Sequence, residues 1–310
     1  MSNVLSLKPS YYEALRRLTL ELAGINLGKD HPFLIETRLR TLARQEGFDG
    51  LVHMIEDLFG QGQARLALQV VSSLLERDTH FNPDPHGMAQ LETRILPAMA
   101  EIYGDNPIRI LSFGCSSGQE TYSIAMQIEK CREQFPNQRI EVIGIDYPSQ
   151  ALERAKRGIY THFEVQRGLP VRDMLKYFDR RGEDWVVKQS LREKVTFQEH
   201  HLMSNLSTLG HFHVIILRNR MATYASGAQV RVLRGLSNIV LPLGYLILGQ
   251  DEKLPRITYG FDGVADASGL YQRRAAPEPA VPRWLHWTRP GRYDGSPPSS
   301  ACTFHCWWRS

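Results

Sequence analysis

Two short stretches of this 310-residue chain carry residue types whose spacing could support chemistry. The first is Gly114 to Glu120 (GCSSGQE). Gly114 and Gly118 let a backbone turn tightly and come close to a ligand, and the amides of a helix that follows can receive an anionic group. The second is Asp146, at the end of the apolar run that starts at Arg139. A carboxylate there can accept both hydroxyls of a ribose. A glycine turn and an acid separated by one strand-helix-strand unit suit an adenosine-containing cofactor, S-adenosylmethionine foremost. The plainer alternative is an ordinary glycine turn in an α/β domain. The turn lacks G-x-G-x-x-G, which weakens a dinucleotide reading, and lacks G-x-x-x-x-G-K-[ST], which argues against a nucleotide-triphosphate loop.

Other reactive residue types carry less. Cys115 lies in the turn, but the sequence offers no His-Asp arrangement beside it, so it is expected to pack rather than to attack. His80, His86, His200 and His201 are scattered over loops, and Cys302, His305 and Cys306 lack a convergent fourth group nearby, so no metal is expected.

These residues need an alternation of strands and helices to position them. Ile108–Phe113, Arg139–Ile145, Phe212–Leu217 and Tyr245–Leu248 read as strands. Thr121 to about Cys131, Gln150–Arg157 closed by Gly158, and Ala228 to about Ile239 read as helices. The expected fold class is therefore α/β, a doubly wound, mostly parallel sheet. Between about 160 and 200 the alternation lapses, and Trp185–Lys188 and Val195–Gln198 read as short strands of an inserted antiparallel piece. Ahead of the α/β region, residues 9 to about 76 read as helical. The segments are one with Leu15, Leu18 and Leu22 on one face that runs to a turn at Gly24 to Gly28, Pro32 to about Glu46, about Leu51 to Leu58 and about Ala64 to Leu75. The expected organisation is a helical domain over 1–77, a proline-marked loop over 78–90, the α/β domain over 91–274, and a flexible Pro/Ser-rich tail over 275–310.

Composition sets outer bounds. Hydrophobic residues make up 42% and charged residues 23%, as in a globular protein with a core. The apolar run Ile239–Leu248 is too short for a membrane span, and no charged leader precedes an apolar stretch at the N-terminus. A cytoplasmic protein with four reduced cysteines is expected. A net charge of +4 suits an acidic protein partner and gives no case for nucleic acid.

The string FGCSSGQETYSIAM resembles the segment C-S-T-G-E-E-P-Y-S-I-A-M of the CheR-type chemotaxis-receptor methyltransferases. ALERAKRGIY is similar to that family's V-L-x-x-A-x-x-G-I-Y, LRNRMATY to C-R-N-V-x-I-Y-F, GYLILGQDE to G-Y-L-F-L-G-H-S-E, and DTHFNPDPH to N-E-T-x-F-F-R-D-P-H. LAGINLGKDHPFLIETRLRTLAR resembles the family's amino-terminal T-G-I-x-L-x-x-x-K-x-x-L-V-x-x-R-L. The motifs run in one order over about residues 10 to 274.

The resemblance implies a class I, Rossmann-like methyltransferase that takes its methyl group from S-adenosylmethionine and esterifies glutamate side chains on a chemoreceptor-like helical protein. It implies a cofactor set of Thr79, Gly114, Gly118, Glu120, Asp146, Leu202 and Asn219. Glu120 would meet the amino-acid end, Asp146 the ribose, and Asn219 the adenosine and sulfonium region. Arg77, Arg218 and Tyr224 are the implied catalytic residues, acting on a positioned carboxylate that an arginine fork orients well. Departures cluster on the acceptor side. Pro83 stands where the linker motif has arginine, Thr223 where the family has tyrosine, Pro148 where it has a second aspartate, and Gln119 and His201 where it has glutamate and asparagine. Either Arg77 takes over from six residues upstream, or the chain is a catalytically degenerate relative that binds cofactor or scaffolds a signalling complex. Arg38, Arg40 and Arg44 form a helix face that is either solvated or docks the receptor. The 160–200 piece resembles the small β-subdomain with which some members hold a receptor tether. A monomer is expected.

Overall fold

The computed structural model describes residues 7–27, 32–75, 79–147 and 149–275. Arg77, Pro148 and the stretch from 276 to 310, with Cys302, His305 and Cys306, lie outside the described residues.

Four helices come first: α1 (Pro9–Ala23), α2 (Pro32–Gln45), α3 (Leu51–Gln61) and α4 (Ala64–Leu75). Their apolar stripes meet in one core that includes Tyr12, Leu15, Leu39, Met54, Ile55 and Val70. A polar pin sits inside it. The buried Glu36 carboxylate accepts from Tyr12 Oη at 2.5 Å and from the Leu7 amide at 2.9 Å, and pairs with Arg40 at 2.7 Å. Arg38 donates to the Leu74 carbonyl at the end of α4 at 2.7 Å. The arginine face of α2 is therefore partly structural: Arg38 ties α2 to α4, Arg40 pairs with Glu36 within α2, and Arg40 and Arg44 are exposed. Gly24 ends α1 at φ +69°, where an added Cβ would lie 2.3 Å from Ala228 Cβ. Its carbonyl accepts from Ala225 at 2.7 Å, and Ile25 forms a β-bridge with Tyr224, so the end of α1 is stitched to the α/β region.

A short α5 (Pro85–Gln90), a π-helical turn at Leu91–Ile95 and α6 (Leu96–Tyr103) lead into the sheet. Pro97 has no amide to donate one turn back, and at this point the ladder loosens, Leu96 N–H reaching Leu91 O.

The sheet core follows as β1 (Ile108–Phe113), α7 (Gln119–Lys130), β2 (Ile140–Asp146) and α8 (Gln150–Arg157). The insert comprises β3 (Ile159–Thr161), α9 (His162–Gln166), α10 (Val171–Tyr177), β4 (Phe178–Arg181), β5 (Asp184–Val187) and α11 (Gln189–Arg192). The chain then returns through β6 (Val195–Glu199), β7 (Phe212–Ile216), α12 (Ser226–Ile239), β8 (Val240–Ile247), β9 (Phe261–Gly263) and β10 (Leu270–Arg273). The main sheet has seven strands in the order β6-β2-β1-β7-β8-β10-β9. The first five are parallel, and β10 and β9 add antiparallel. Helices cover both faces, so β7 is buried throughout and reads as a continuous apolar run. The mostly parallel α/β fold expected from the sequence is the fold of the protein.

Two expectations about strands change. Val195–Gln198 belongs to the main sheet and not to the insert: it pairs in parallel with β2, Val195 opposite Val142 and Glu199 opposite Asp146. A five-residue alternating stretch at a sheet edge carries no mark of its partner's direction, and the tertiary pairing decided it. The insert is the three-stranded antiparallel sheet β3-β5-β4. The antiparallel pair β9–β10, unforeseen from sequence, extends the sheet past β8.

Candidate active site

The strand order reverses between β1 and β7: from β1 the chain steps outward through β2 and β6, then returns to β7 and β8 on the other side. In open α/β sheets ligands enter at such a switch point, outside the carboxyl ends of the strands. Here that crevice is walled by the turn after β1 (residues 114–118), the loop after β7 (217–225), Asp146 at the end of β2, and the linker from Thr79 to Asp84. A cavity of about 100 Å³ is lined by Thr79, Pro83, Glu120, Arg218, Asn219 and Arg220, among others. A second, of about 20 Å³, is lined by Ser72, Ser116, Asp146, Tyr147 and again Arg220. A larger groove, about 550 Å³, lies along α7, β2 and β6. Its charges neutralise one another, Arg139 with Glu141 at 3.0 Å and Lys194 with Glu129 at 2.5 Å, and it lies away from the switch point.

The linker is placed by an aromatic anchor. Phe81 is fully buried, with edge contacts to Tyr160 and Phe178 at ring separations of 5.0 and 5.4 Å. On one side of it, Thr79 Oγ1 donates to Gln119 Oε1 at 2.8 Å, and Ser117 Oγ donates to the same oxygen at 2.7 Å. Gln119 thus supplies the acceptor that orients Thr79. On the other side, Asp84 caps α5 through the Gly87 amide at 3.0 Å and faces Arg218 Nη1 at 3.5 Å.

Arg218 organises the linker side of the crevice. Its Nε donates to Glu120 Oε1 at 2.6 Å, and the side chain is 4% exposed. Burial works against the guanidinium charge, but Glu120 and then Asp84 outweigh it and hold the pKa above the ordinary arginine value. Arg218 joins the linker to Glu120; its donors are directed at these carboxylates.

The β2 end of the crevice is built around Asp146. Its carboxylate accepts from the Ser116 amide at 2.7 Å and the Tyr147 amide at 2.8 Å, and lies 3.4 Å from Arg220 Nη2. The same Nη2 donates to the Gly114 carbonyl at 2.6 Å. Gly114 sits at φ +77°, and a Cβ there would lie 2.4 Å from Arg220 Nε. Gly118, at φ +88°, needs to be glycine for a different reason: a Cβ would lie 2.8 Å from Ala155 and 3.0 Å from Phe197. It lets α7 approach α8 and β6. Cys115 beneath the turn is buried, and burial first, then Asp146, pushes its thiol well above the ordinary value, so it is a neutral packing group.

Asn219 holds a left-handed backbone at φ +54° beside the crevice. Glu252 fixes that conformation, accepting from the Asn219 amide at 2.6 Å, the Gly249 amide at 2.8 Å and the Ala222 amide at 3.3 Å. The structure thus gathers Thr79, Gly114, Glu120, Arg218 and Asn219 around one cavity, with Asp146 at the adjoining one. Leu202 and Tyr224 lie outside these linings, although the Tyr224 phenol is within electrostatic reach of Arg220 and Tyr147. Leu202, 2% exposed, and Tyr224, bridged to Ile25, sit in the core between the sheet, α12 and the end of α1, and neither lines these cavities. Arg220 and Glu252 were not singled out from sequence, and Gln119 was noted only as a departure from the resembled motif. For Arg220 the signal was present, as the arginine of LRNR where the family string has valine.

The residues fit S-adenosylmethionine at both ends: a carboxylate with acceptor capacity beyond its two backbone donors suits ribose hydroxyls, the glycine turn allows close approach, and a second acid at the far wall suits an ammonium group. Among the described residues no helix is long and apolar enough to cross a membrane, and no cluster of metal-ligand side chains occurs.

Residues 77–268 match the CheR methyltransferase, SAM binding domain, family. The chain is 28% identical over 266 residues to chemotaxis protein methyltransferase 1 of Pseudomonas aeruginosa, covering 84% of this chain and 97% of the relative. It is 27% identical over 262 residues to the chemotaxis protein methyltransferase of Vibrio parahaemolyticus, covering 84% of this chain and 94% of that one. With the switch-point crevice and its two acids in place, this chain belongs to the CheR methyltransferase family, whose domain here binds S-adenosylmethionine.

Proposed function

We propose that this protein methylates glutamate side-chain carboxylates on a chemoreceptor-like helical protein. The observation that carries the reading is the pair of acids, Glu120 and Asp146, at opposite ends of one crevice whose linker is tied to the first of them through Arg218. When bound, S-adenosylmethionine supplies a methyl group already activated on its sulfonium. The protein's own task is then largely positional: a carboxylate acceptor is a nucleophile at neutral pH, and holding two partners in near-attack geometry is worth up to roughly 7–11 kcal/mol. Asp146 takes the ribose, Glu120 the ammonium group, and Thr79, oriented by Gln119, closes the linker side. Arg218 acts as a positioning residue between linker and cofactor wall. Arg77, just upstream of Thr79, is the candidate for orienting the acceptor carboxylate. Residues 1–77 form the receptor-docking domain in this reading, 91–274 the catalytic domain, and the 160–200 insert an accessory to it.

The test is transfer of labelled methyl groups from S-adenosylmethionine to membranes carrying candidate receptors. Base-labile methyl ester on at least one receptor is expected. Measurable cofactor binding with no ester on any receptor would replace this reading with a binding module.

A further inference from the structure

One side chain interrupts the crevice. Arg220 lines both cavities, the one at Thr79, Glu120 and Asn219 and the one at Asp146, and lies between them. Small-molecule sites hold roughly 300–1,000 Å³, whereas these two hold about 100 and about 20 Å³. The space left by the missing Cβ of Gly114 is occupied by the chain's own guanidinium, with Nε, Cζ and Cδ at 2.4, 2.5 and 2.9 Å from the position a Cβ would take. That guanidinium is anchored at both walls, on the Gly114 carbonyl and on Asp146.

We propose that Arg220 is a latch across the cofactor crevice: it holds the ribose-end acid in the ligand-free protein, must swing out for the cofactor to lie between Glu120 and Asp146, and thereby sets cofactor affinity. The inference rests on the S-adenosylmethionine reading of the crevice and adds a residue that opposes binding. The backbone beneath the latch is fixed, since the Arg220 carbonyl accepts from the Thr223 amide at 3.0 Å and Thr223 Oγ1 at 2.7 Å. The movement is therefore a side-chain rotation, and the side chain is already 15% exposed. Asp146 is not orphaned by release, because its two backbone donors remain and a carboxylate has further lone pairs for ribose hydroxyls. A closed state lowers apparent affinity by the fraction of molecules that are open. Opening the crevice permanently removes that factor.

The experiment is calorimetric titration of the full chain and of Arg220→Val with S-adenosylhomocysteine, with Arg220→Met as a second variant should the valine protein fail to fold. Binding by the variant about tenfold tighter than by the parent is expected, on the scale of a crevice mostly latched in the free protein. Binding by the variant when the parent shows none supports the latch equally. Unchanged affinity overturns the latch, and weaker binding overturns it by making Arg220 a cofactor contact. No binding by the parent or either variant overturns the cofactor reading itself, a result distinct from equal dissociation constants.

Discussion

Arg218 and Arg220 stand two residues apart on the same loop, each faces an acid of the same crevice, and the two do opposite things. Arg218 is buried between Glu120 and Asp84, with its charges matched on two sides, and joins the linker to the cofactor wall. Arg220 spans the crevice from the Gly114 carbonyl to Asp146, which also accepts from two backbone amides. The first ion pair is part of the wall; the second fills what the wall encloses. What separates them is the state of the partner acid. Glu120 has the Arg218 guanidinium as its charged partner, whereas Asp146 keeps backbone donors when Arg220 leaves.

Breaking the buried member of the comparison should have the largest effect. Arg218→Met leaves Glu120 and Asp84 without their shared cation, and about 3 kcal/mol of stability should be lost, at the low end for a buried pair because both acids keep some solvent. Urea unfolding measures it, and a loss below about 1 kcal/mol would put Arg218 on a par with a surface pair. Next in size, Asp146→Ala should weaken S-adenosylhomocysteine binding at least about tenfold, roughly 1.4 kcal/mol. An unchanged dissociation constant by calorimetry would refute the ribose placement.

Glu252→Gln should loosen the loop that carries both arginines, by about 1 kcal/mol, since three amides lose a charged acceptor while an amide oxygen remains. Hydrogen exchange of the Asn219 and Gly249 amides reports it; unaltered protection would mean that Glu252 is dispensable. The smallest effect concerns Cys115, between the glycine turn and Asp146. Burial raises its pKa, so across pH 7–9 its thiolate fraction should stay below that of an exposed thiol and rise only at more alkaline pH. Alkylation by iodoacetamide should accordingly be slower than for the unfolded chain, and Cys115→Ala should retain cofactor binding within about twofold, as expected of a packing group.

Elements with local signals were legible. The helix Gln150–Arg157 carries its own start and stop: the Ser149 hydroxyl accepts from the Leu152 amide, and Gly158 ends it in the left-handed region. Ala64–Leu75 declares itself by its apolar stripe. The strands β1 and β7 were readable because burial on both faces demands an unbroken apolar run. β6 was assigned to the wrong sheet because strand direction is a property of the pair and not of the strand.

The site divides in the same way. Residue types alone placed the glycine turn and Asp146 at neighbouring strand ends, and the resemblance singled out Glu120, Thr79 and Asn219, which the structure brings to the same crevice, because a turn and an acid at strand ends are marked locally in the sequence. Only the tertiary structure could decide the rest. It put Leu202 and Tyr224 in the core, gave Gly118 to helix packing, turned Arg218 inward onto Glu120 and Asp84, and laid Arg220 across the crevice. The physical reason is that a side chain's type and position in a motif limit what it can bind, whereas its direction is set by the nearest unmet charge or empty volume. Those neighbours lie about a hundred residues away: Glu120 is 98 positions from Arg218, and Gly114 is 106 from Arg220.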